Sequence, residues 1–283
     1  MQIISSSTEI TAISQKACSA QQRIGFVPTM GALHAGHISL VRAARAQSDI
    51  VMVSIFVNPL QFGPKEDFSK YPRALERDCA LLAAEKVDYV FTPSVEEIYP
   101  QGASTWVTVE GITDRLDGRS RPDHFRGVST VVAKLFHIVQ PDLAFFGQKD
   151  AAQAAIIQKM VRDLNFDVRI VVCPIVREPD GLAMSSRNAY LDATQRKQAT
   201  VLYRALMRVQ TLADQGERDS GKLLAEGKQV IAEEPAVRLD YFEIVDRNTL
   251  EPVAETSGGA LVAVAAYVGE TRLIDNIVLP DPE

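Results

Sequence analysis

The chain has 283 residues, with 30 Lys+Arg against 36 Asp+Glu for a formal charge of -6, and is 46% hydrophobic and 23% charged. That balance belongs to a folded globular chain, long enough for one large or two smaller domains, and it excludes a disordered polymer. The acidic excess argues against a general binder of nucleic acid or anionic membrane, while leaving room for a local basic pocket.

Cys18, Cys79 and Cys173 lie far apart with no CxxC pair, so neither a disulfide framework nor a cysteine zinc site is expected, and a reducing cytoplasm fits best. The first residues lack the basic start and apolar core of a secretory signal. The longest apolar run, residues 260–268, falls far short of the ~20 residues of a membrane helix.

In chain order, residues 24–29 read as a buried strand and 36–47 as a helix. Residues 49–57 (DIVMVSIFV) are almost continuously apolar, as a strand covered on both faces should be. A helix is predicted around 73–86 and a strand over 88–92. Val128, Val131, Val132, Leu135, Phe136 and Val139 recur at helical spacing until Pro141. A strand over 143–146, a helix near 151–164 and a strand over 168–176 continue the alternation. Repeated strand–helix–strand order predicts a parallel sheet with helices on both faces, an α/β fold of the Rossmann-like, doubly wound kind. Beyond residue 176 come two helical stretches, 193–213 and 222–233, then strand-like runs at 238–245, 260–268 and 272–278. The expectation is a nucleotide-binding domain over 1–175 and a smaller α+β domain over 176–283.

The sharpest segment runs from Pro28 to His37, PTMGALHAGH, between the expected first strand and first helix. Gly31 permits a tight turn and Gly36 lets a ligand approach the backbone. His34 and His37, three apart, would face the same way beside a helix N-terminus that favours anions, where imidazoles can donate to phosphate oxygens. Two histidines capping a surface helix are the plain alternative; zinc lacks the HExxH spacing and a nearby cysteine.

Residues 177–187 (REPDGLAMSSR) combine a turn at Pro179–Gly181 with two hydroxyls and a guanidinium at Ser185, Ser186 and Arg187. That set suits a polyphosphate clamp, or else an ordinary polar loop. Gly147, Gln148, Lys149 and Asp150 follow another strand and open a helix. The Gly147 backbone and the Lys149 ammonium suit nucleotide phosphates, with a capped turn as the alternative. Asn58 and Gln61 end the second expected strand, where neutral amides can orient a hydroxyl or carboxylate. Residues 118–127 hold three arginines and His124, read equally as an anion-facing or a solvated loop. His137 reads as structural. Residues 216–222 mimic a P-loop, but Leu223 replaces the required hydroxyl and the segment joins two helices. No GxGxxG and no GxSxG occur.

The HxGH turn together with the late Met-Ser-Ser-Arg loop resembles the HIGH and KMSKS signatures of the nucleotidyl-transferase superfamily. The full set PTMGALHAGH, SIFVNPLQF, SRPDHFRGVST, FFGQKD and DGLAMSSRN is similar to the pantothenate synthetase (pantoate–β-alanine ligase) family, from the first residues through Arg272–Asn276. The resemblance implies ATP-dependent, AMP-forming ligation of (R)-pantoate to β-alanine through a pantoyl-adenylate, with Mg²⁺, small-molecule partners, a cytoplasmic setting and a homodimer. It implies an ATP site lined by Met30, Gly31, Ala32, Leu33, His34, Ala35, Gly36 and His37, by Gly147, Gln148, Lys149 and Asp150, by Val176, and by Met184, Ser185, Ser186 and Arg187, with the C-terminal domain closing over the nucleotide. His34, His37 and Lys149 would be catalytic; Gln61, Asn58 and Gln153 would serve pantoate. No protein residue is expected as a metal ligand. Two departures stand out. The family's GEKD reads Gly147-Gln-Lys-Asp150 here, and the following aromatic and glutamine are Ala151 and Ala152. The rivals are a phosphopantetheine or mononucleotide adenylyltransferase and a nucleotide-binding module without turnover; an aminoacyl-tRNA synthetase lacks its basic appendage.

Overall fold

The sheet that the alternating pattern predicts is built from β1 (Gln2–Ile4), β2 (Ile24–Thr29), β3 (Ile50–Ile55), β4 (Tyr89–Phe91), β5 (Leu143–Gly147) and β6 (Arg169–Cys173), in the order β1-β4-β3-β2-β5-β6. Every pairing is parallel. The structure, a computed structural model, describes residues 1–64, 66, 68–256 and 259–279. Its residues form two compact units: Met1–Thr113, Arg121–Gly147 and Ile156–Pro174 make one, and Asp114–Ser120, Gln148–Ala155 and the chain from Ile175 onward make the other.

Side chains alternate between the two faces of each strand. On one face Val27, Val51, Val53, Val90, Leu143 and Phe145 pack with Leu33 and with Ile38, Val41 and Ala44 of α2 (Ala35–Gln47); α1 (Ser7–Ser19) precedes it in the chain. On the other face Phe26, Met52, Phe91, Ala144 and Phe146 are buried. There Ser14 of α1 reaches Met52 (3.9 Å). Further along come α3 (Leu75–Ala84), two single-turn helices α4 (Val95–Ile98) and α5 (Asp117–Ser120), and α6 (His124–Val139). Phe136 of α6 meets the Phe146 ring edge-on with centroids 6.5 Å apart. Both faces are therefore covered, which explains why the strands read as continuous apolar runs.

From β2 the chain moves one way to β3 and β4, then returns to add β5 and β6 on β2's other side. The switch falls between β2 and β5, and loops leaving the carboxyl ends of strands at such a switch form the ligand crevice of open α/β sheets. Pro28–His37 leaves β2, Asn58–Gln61 follows β3 and Gly147 ends β5, so this unit gathers two of the sequence's candidate segments and the first residue of a third at one sheet edge.

The second unit carries an antiparallel sheet of β7 (Val237–Asp246), β8 (Ala260–Val268) and β9 (Thr271–Val278). The chain passes through it at residues 114–120 and 148–155, returns after α7 (Ala151–Asp163) and β6, and forms α8 (Ala193–Gln198), α9 (Val201–Asp214) and α10 (Ser220–Ala232). Leu202, Leu206 and Val209 of α9 and Leu223 and Ile231 of α10 share a core with Phe242, Val262 and Val264. Gly227 lets α10 lie close, since a Cβ there would sit 2.4 Å from the Phe242 ring. Arg272 ties α5 into this unit through Asp117 (2.7 Å) and Asp240 (2.8 Å).

Two features differ from the sequence reading. β1 and α1 precede the strand at 24–29, so the HxGH turn follows the second strand in chain order and the central one in space. β1 spans only three residues, and α1 buries just Ile10, Ser14 and Ala17, a stripe too thin to stand out. The stretch 193–213 is two helices: the Thr200 hydroxyl donates to the Lys197 carbonyl (2.7 Å), a local bond that competes with the helix ladder, and α9 starts afresh at Val201. The P-loop-like 216–222 segment joins α9 to α10, and the Asp219 carboxylate accepts from the Lys222 N–H (2.8 Å) where a phosphate would have to sit. Among the described residues no helix is long and apolar enough to cross a membrane.

Candidate active site

The turn after β2 holds two successive left-handed residues, Gly31 (φ 84°) and Ala32 (φ 51°), and alanine reaches that region only against strain. What holds it there is a fully buried carboxylate: Asp78 of α3 accepts from the Ala32 N–H (2.8 Å) and the Leu33 N–H (2.9 Å). The Thr29 hydroxyl accepts from the Gly31 N–H (3.2 Å) and donates to the Ser54 carbonyl (2.7 Å), fastening the turn to β3. Asp78→Asn puts an amide N–H against one of these backbone N–H groups. The expected cost is about 1–3 kcal/mol for a buried donor left unsatisfied. Urea unfolding and nucleotide affinity should fall together; an unchanged midpoint would remove Asp78 from this role.

His34 and His37 meet through a reciprocal cap. His34 is the N-cap of α2 and its Nδ1 accepts from the Gly36 N–H (3.2 Å), while the His37 Nδ1 accepts from the His34 N–H (3.3 Å). The rings lie 4.2 Å apart. Capping and ligand binding, set against each other in the sequence, are compatible here. With both Nδ1 atoms accepting, each neutral ring carries its proton on Nε2, where it is a donor. The first turn of α2 carries no acidic residue of its own, and the nearby Asp78 carboxylate is taken up by the Ala32 and Leu33 N–H groups of the preceding turn.

Asn58 is buried and all its polar atoms are engaged. Its Oδ1 accepts from the Leu60 N–H (3.3 Å) and the Tyr99 hydroxyl (2.9 Å), and its Nδ2 donates to the Gln61 Oε1 (3.1 Å) and the Gly127 carbonyl (3.1 Å). Burial pushes the Tyr99 phenol well above its ordinary range, so it stays a donor. Asn58 thus orients Gln61, whose Nε2 lies 3.0 Å from the Met30 Sδ. Gly127 of α6 admits this turn, because a Cβ would fall 2.2 Å from the Leu60 carbonyl oxygen.

The arginine-rich segment, ambiguous in sequence, is spent on internal pairs. Arg119 pairs with Glu243 within the second unit, and Arg126 lies over the Trp106 ring (4.2 Å) near Asp123. Arg121 grips Glu66 through two bonds (2.7 and 2.6 Å) and reaches the Gln61 carbonyl (3.3 Å). His124 Nδ1–H donates to the same carbonyl (2.8 Å) and its Nε2 accepts from Arg121 (3.1 Å). Burial raises the Glu66 carboxyl, but the bonds from Arg121 and its charge outweigh it, leaving Glu66 below its ordinary value of 4.5. A depressed acid pKa stabilises the fold above the unfolded value, and that stability is lost as pH falls through the folded one. The stability gap between the native chain and Glu66→Gln should therefore shrink as urea midpoints are followed from neutral pH to below 4.5; a gap constant with pH would contradict the pairing.

In the second unit, residues 176–184 form a hairpin. The Met184 N–H donates to the Val176 carbonyl (3.0 Å), Glu178 N–H to the Leu182 carbonyl (2.9 Å), and Gly181 N–H closes the turn on Glu178 (2.9 Å). Gly181 (φ 91°) has no room for a Cβ, which would meet the Tyr203 ring at 2.0 Å. Arg177 pins the hairpin: it donates to Asp275 (2.6 and 3.0 Å) and the Gly181 carbonyl (3.0 Å) and stacks on Tyr203 (4.3 Å). Burial pushes the Asp275 carboxyl up, and Arg177 pulls against it. Beyond the hairpin the Ser185 hydroxyl accepts from the Arg187 N–H (3.2 Å), opening a 3-10 turn over Ser186–Tyr190. The same unit holds the 3-10 turn Gln148–Asp150, where Lys149 Nζ lies 3.5 Å from Asp150 Oδ1, and Gln153 on the first turn of α7.

Compared with known proteins, the chain matches the Pantoate-beta-alanine ligase family over residues 2–278. A pantothenate synthetase of Koribacter versatilis (strain Ellin345) is 64% identical over 99% of this chain and 96% of its own length. The chain belongs to the pantoate–β-alanine ligase family. A crystal structure of pantothenate synthetase from Thermus thermophilus is 48% identical and superposes with a TM-score of 0.92, covering 98% of this chain and 99% of that one. The Francisella tularensis pantoate–β-alanine ligase, solved as a complex with beta-gamma ATP and beta-alanine, is 36% identical with a TM-score of 0.81 over 98% and 97%.

Within the ligase family this chain's departures find a structural place. Gln148 donates its amide to Asn276 Oδ1 (2.9 Å), so its side chain is held by β9. Ala152 is buried and Ala151 half-buried. Asp78, Tyr99, Arg177 and Asn276 support candidate residues with no role read from sequence, and Arg121 and His124, read equally as anion-facing or solvated, support Gln61. Asp78 stands 46 residues from the turn it holds, and no local spacing signals such a partner. Burial raises the Cys79 and Cys173 thiols, so neither is an activated nucleophile. Among the described residues no group of three His, Cys, Asp or Glu side chains could hold a metal ion. A magnesium ion borne on phosphates takes only one or two carboxylates and keeps several waters; Asp150 is the carboxylate in the Gln148–Asp150 turn, and the donor set fits an ion held mainly by nucleotide.

Proposed function

We infer that the chain joins (R)-pantoate to β-alanine in two steps, consuming ATP. A pantoate carboxylate oxygen attacks the α-phosphorus and the bond to pyrophosphate breaks, leaving pantoyl-adenylate. The β-alanine nitrogen then attacks the acyl carbon, the bond to the AMP oxygen breaks, and the amine gives up a proton. A carboxylate alone is a poor acylating agent; the mixed anhydride carries a good leaving group. What the protein must supply is stabilisation of charge on the phosphates and shelter of a labile intermediate from water.

The reciprocal His34–His37 cap carries this reading. Two imidazoles held as Nε2 donors beside a helix N-terminus suit phosphate oxygens that gain charge in the first step. The assignment is charge stabilisation at Nε2 and not proton transfer at Nδ1, which is already an acceptor. Met30–His37 and Gly147–Asp150 bind ATP in this proposal, Lys149 meets phosphate, Val176 offers backbone to adenine, and Met184–Arg187 bind the polyphosphate. Gln61 and Gln153 take pantoate's polar groups, with Asn58 orienting Gln61. Residues 1–175 are proposed as the nucleotide- and pantoate-binding domain and 176–283 as the smaller one, with 114–120 and 148–155 grouping with the latter. Magnesium, held by the phosphates and Asp150, would neutralise phosphate charge. The three unpaired cysteines support a reducing, cytoplasmic setting, and the family resemblance supports a homodimer, which light scattering can check.

The test is pantoate-dependent ATP–pyrophosphate exchange with Mg²⁺ and no β-alanine, followed by AMP and pantothenate once β-alanine is added. Exchange only with a phosphopantetheine or mononucleotide acceptor would give the site to an adenylyltransferase. ATP binding without exchange on any acceptor would leave a module without turnover.

A further inference from the structure

We infer that Asn276 is a positioning residue for Lys149, a role that rests on the reading of Lys149 as a phosphate contact. Asn276 is buried on β9, where it pairs with Ala263 of β8, so its main chain is fixed by the sheet. Its Nδ2 donates to two successive carbonyls, those of Gln148 and Lys149, both at 3.0 Å. Its Oδ1 accepts from the Gln148 amide (2.9 Å), closing the contact from the other side. The preceding residue holds β9 itself in place: the Asp275 carboxylate accepts from the Asn276 N–H (2.7 Å) and from Arg177, which also reaches the Asn276 carbonyl (3.3 Å).

Two bonds to consecutive carbonyls fix the orientation of two peptide planes, and with them the direction in which Lys149 leaves the backbone. That is where control over a lysine has to be exerted, because its flexible stem and point-like ammonium give no geometric selection of their own. An asparagine is needed there, since an aspartate cannot donate to either carbonyl. Gln148, which departs from the family's glutamate, belongs to this arrangement: a carboxylate at that position would have no hydrogen to offer Asn276 Oδ1.

The experiment is a double-mutant cycle on the full chain, reading ATP affinity by calorimetry with magnesium present and ATP–pyrophosphate exchange with pantoate. Asn276→Ala and Lys149→Ala should each weaken ATP about tenfold, as loss of a hydrogen bond to a charged group does, and the double variant should be no worse than Lys149→Ala alone. A residue that merely supports the fold would lower affinity by the same factor with or without Lys149, and multiplied losses would overturn the inference. Should Asn276→Ala fail to fold, Gln148→Ala removes only the side-chain bond to Oδ1; its smaller loss must also vanish in the Lys149→Ala background, or the inference falls. Normal exchange by the native chain without coupling refutes this role alone. Coupled ATP binding without pantoate-dependent exchange refutes the ligase reading alone.

Discussion

His37→Ala is expected to lower pantoate-dependent ATP–pyrophosphate exchange about 10²–10³-fold, the usual loss when one preorganised donor to a developing negative charge is removed. The change deletes an Nε2 donor and also the acceptor for the His34 N–H, so it loosens the partner ring. The effect on folding is expected to be small, about 1 kcal/mol, in line with loss of a helix cap. His37→Asn separates the two contributions. Its side-chain oxygen can still accept at the N-terminus of α2 while its amide offers a shorter donor, so its exchange rate should lie between those of His37→Ala and the native chain. His34→Ala and His37→Ala combined should cost much less than the product of the single losses, because each ring orients the other. Native exchange in His37→Ala would end the assignment of the paired imidazoles to phosphate.

Asp275→Asn is expected to cost about 3 kcal/mol of stability, the lower end of the range for breaking a buried ion pair, since Arg177 keeps a fifth of its side chain in water. Removal of the carboxylate charge leaves a guanidinium lodged among the Gly181 carbonyl, the Asn276 carbonyl and the Tyr203 ring with its neutralising partner gone. The penalty belongs to the stranded charge more than to the lost contact. The variant Asp275→Asn with Arg177→Met should therefore be more stable than Asp275→Asn alone, and urea unfolding would show the order. Equal or lower stability of the double variant would mean that Arg177 acts chiefly through packing on Tyr203.

Much of the first unit was legible because its signals are local. A strand buried on both faces has to be apolar throughout, which is why residues 49–57 and 143–146 announced themselves. Pro141 stops α6 because it cannot continue the helix, and Gln140 turns out of it with φ 48°. The N-terminal pair β1 and α1 escaped notice, since a three-residue edge strand and a helix with three buried positions leave little periodicity. The break at residues 199–200 escaped as well: the apolar pattern runs through it, while the Thr200 N–H and hydroxyl both turn to the Lys197 carbonyl (3.2 and 2.7 Å).

The candidate residues were recognisable as types at particular spacings: HxGH, the amides after β3, the Lys149 turn and the Met-Ser-Ser-Arg loop. That much the sequence by itself determined, together with the alternation that demands a parallel sheet, because covalent proximity and periodicity are written in the order of residues. Only the tertiary structure decided which nitrogen of each histidine is the donor, since that depends on the backbone N–H groups that approach the rings. It also decided that Asp78 holds the Gly31–Leu33 turn, that Arg121 and His124 converge on the Gln61 carbonyl, and that Asn276 holds the backbone on either side of the Gln148–Lys149 bond. Each of these last three is a polar contact between residues from 45 to 128 positions apart. Hydrogen bonds are directional and short, so chain separation carries no trace of them until folding brings donor and acceptor within about 3 Å.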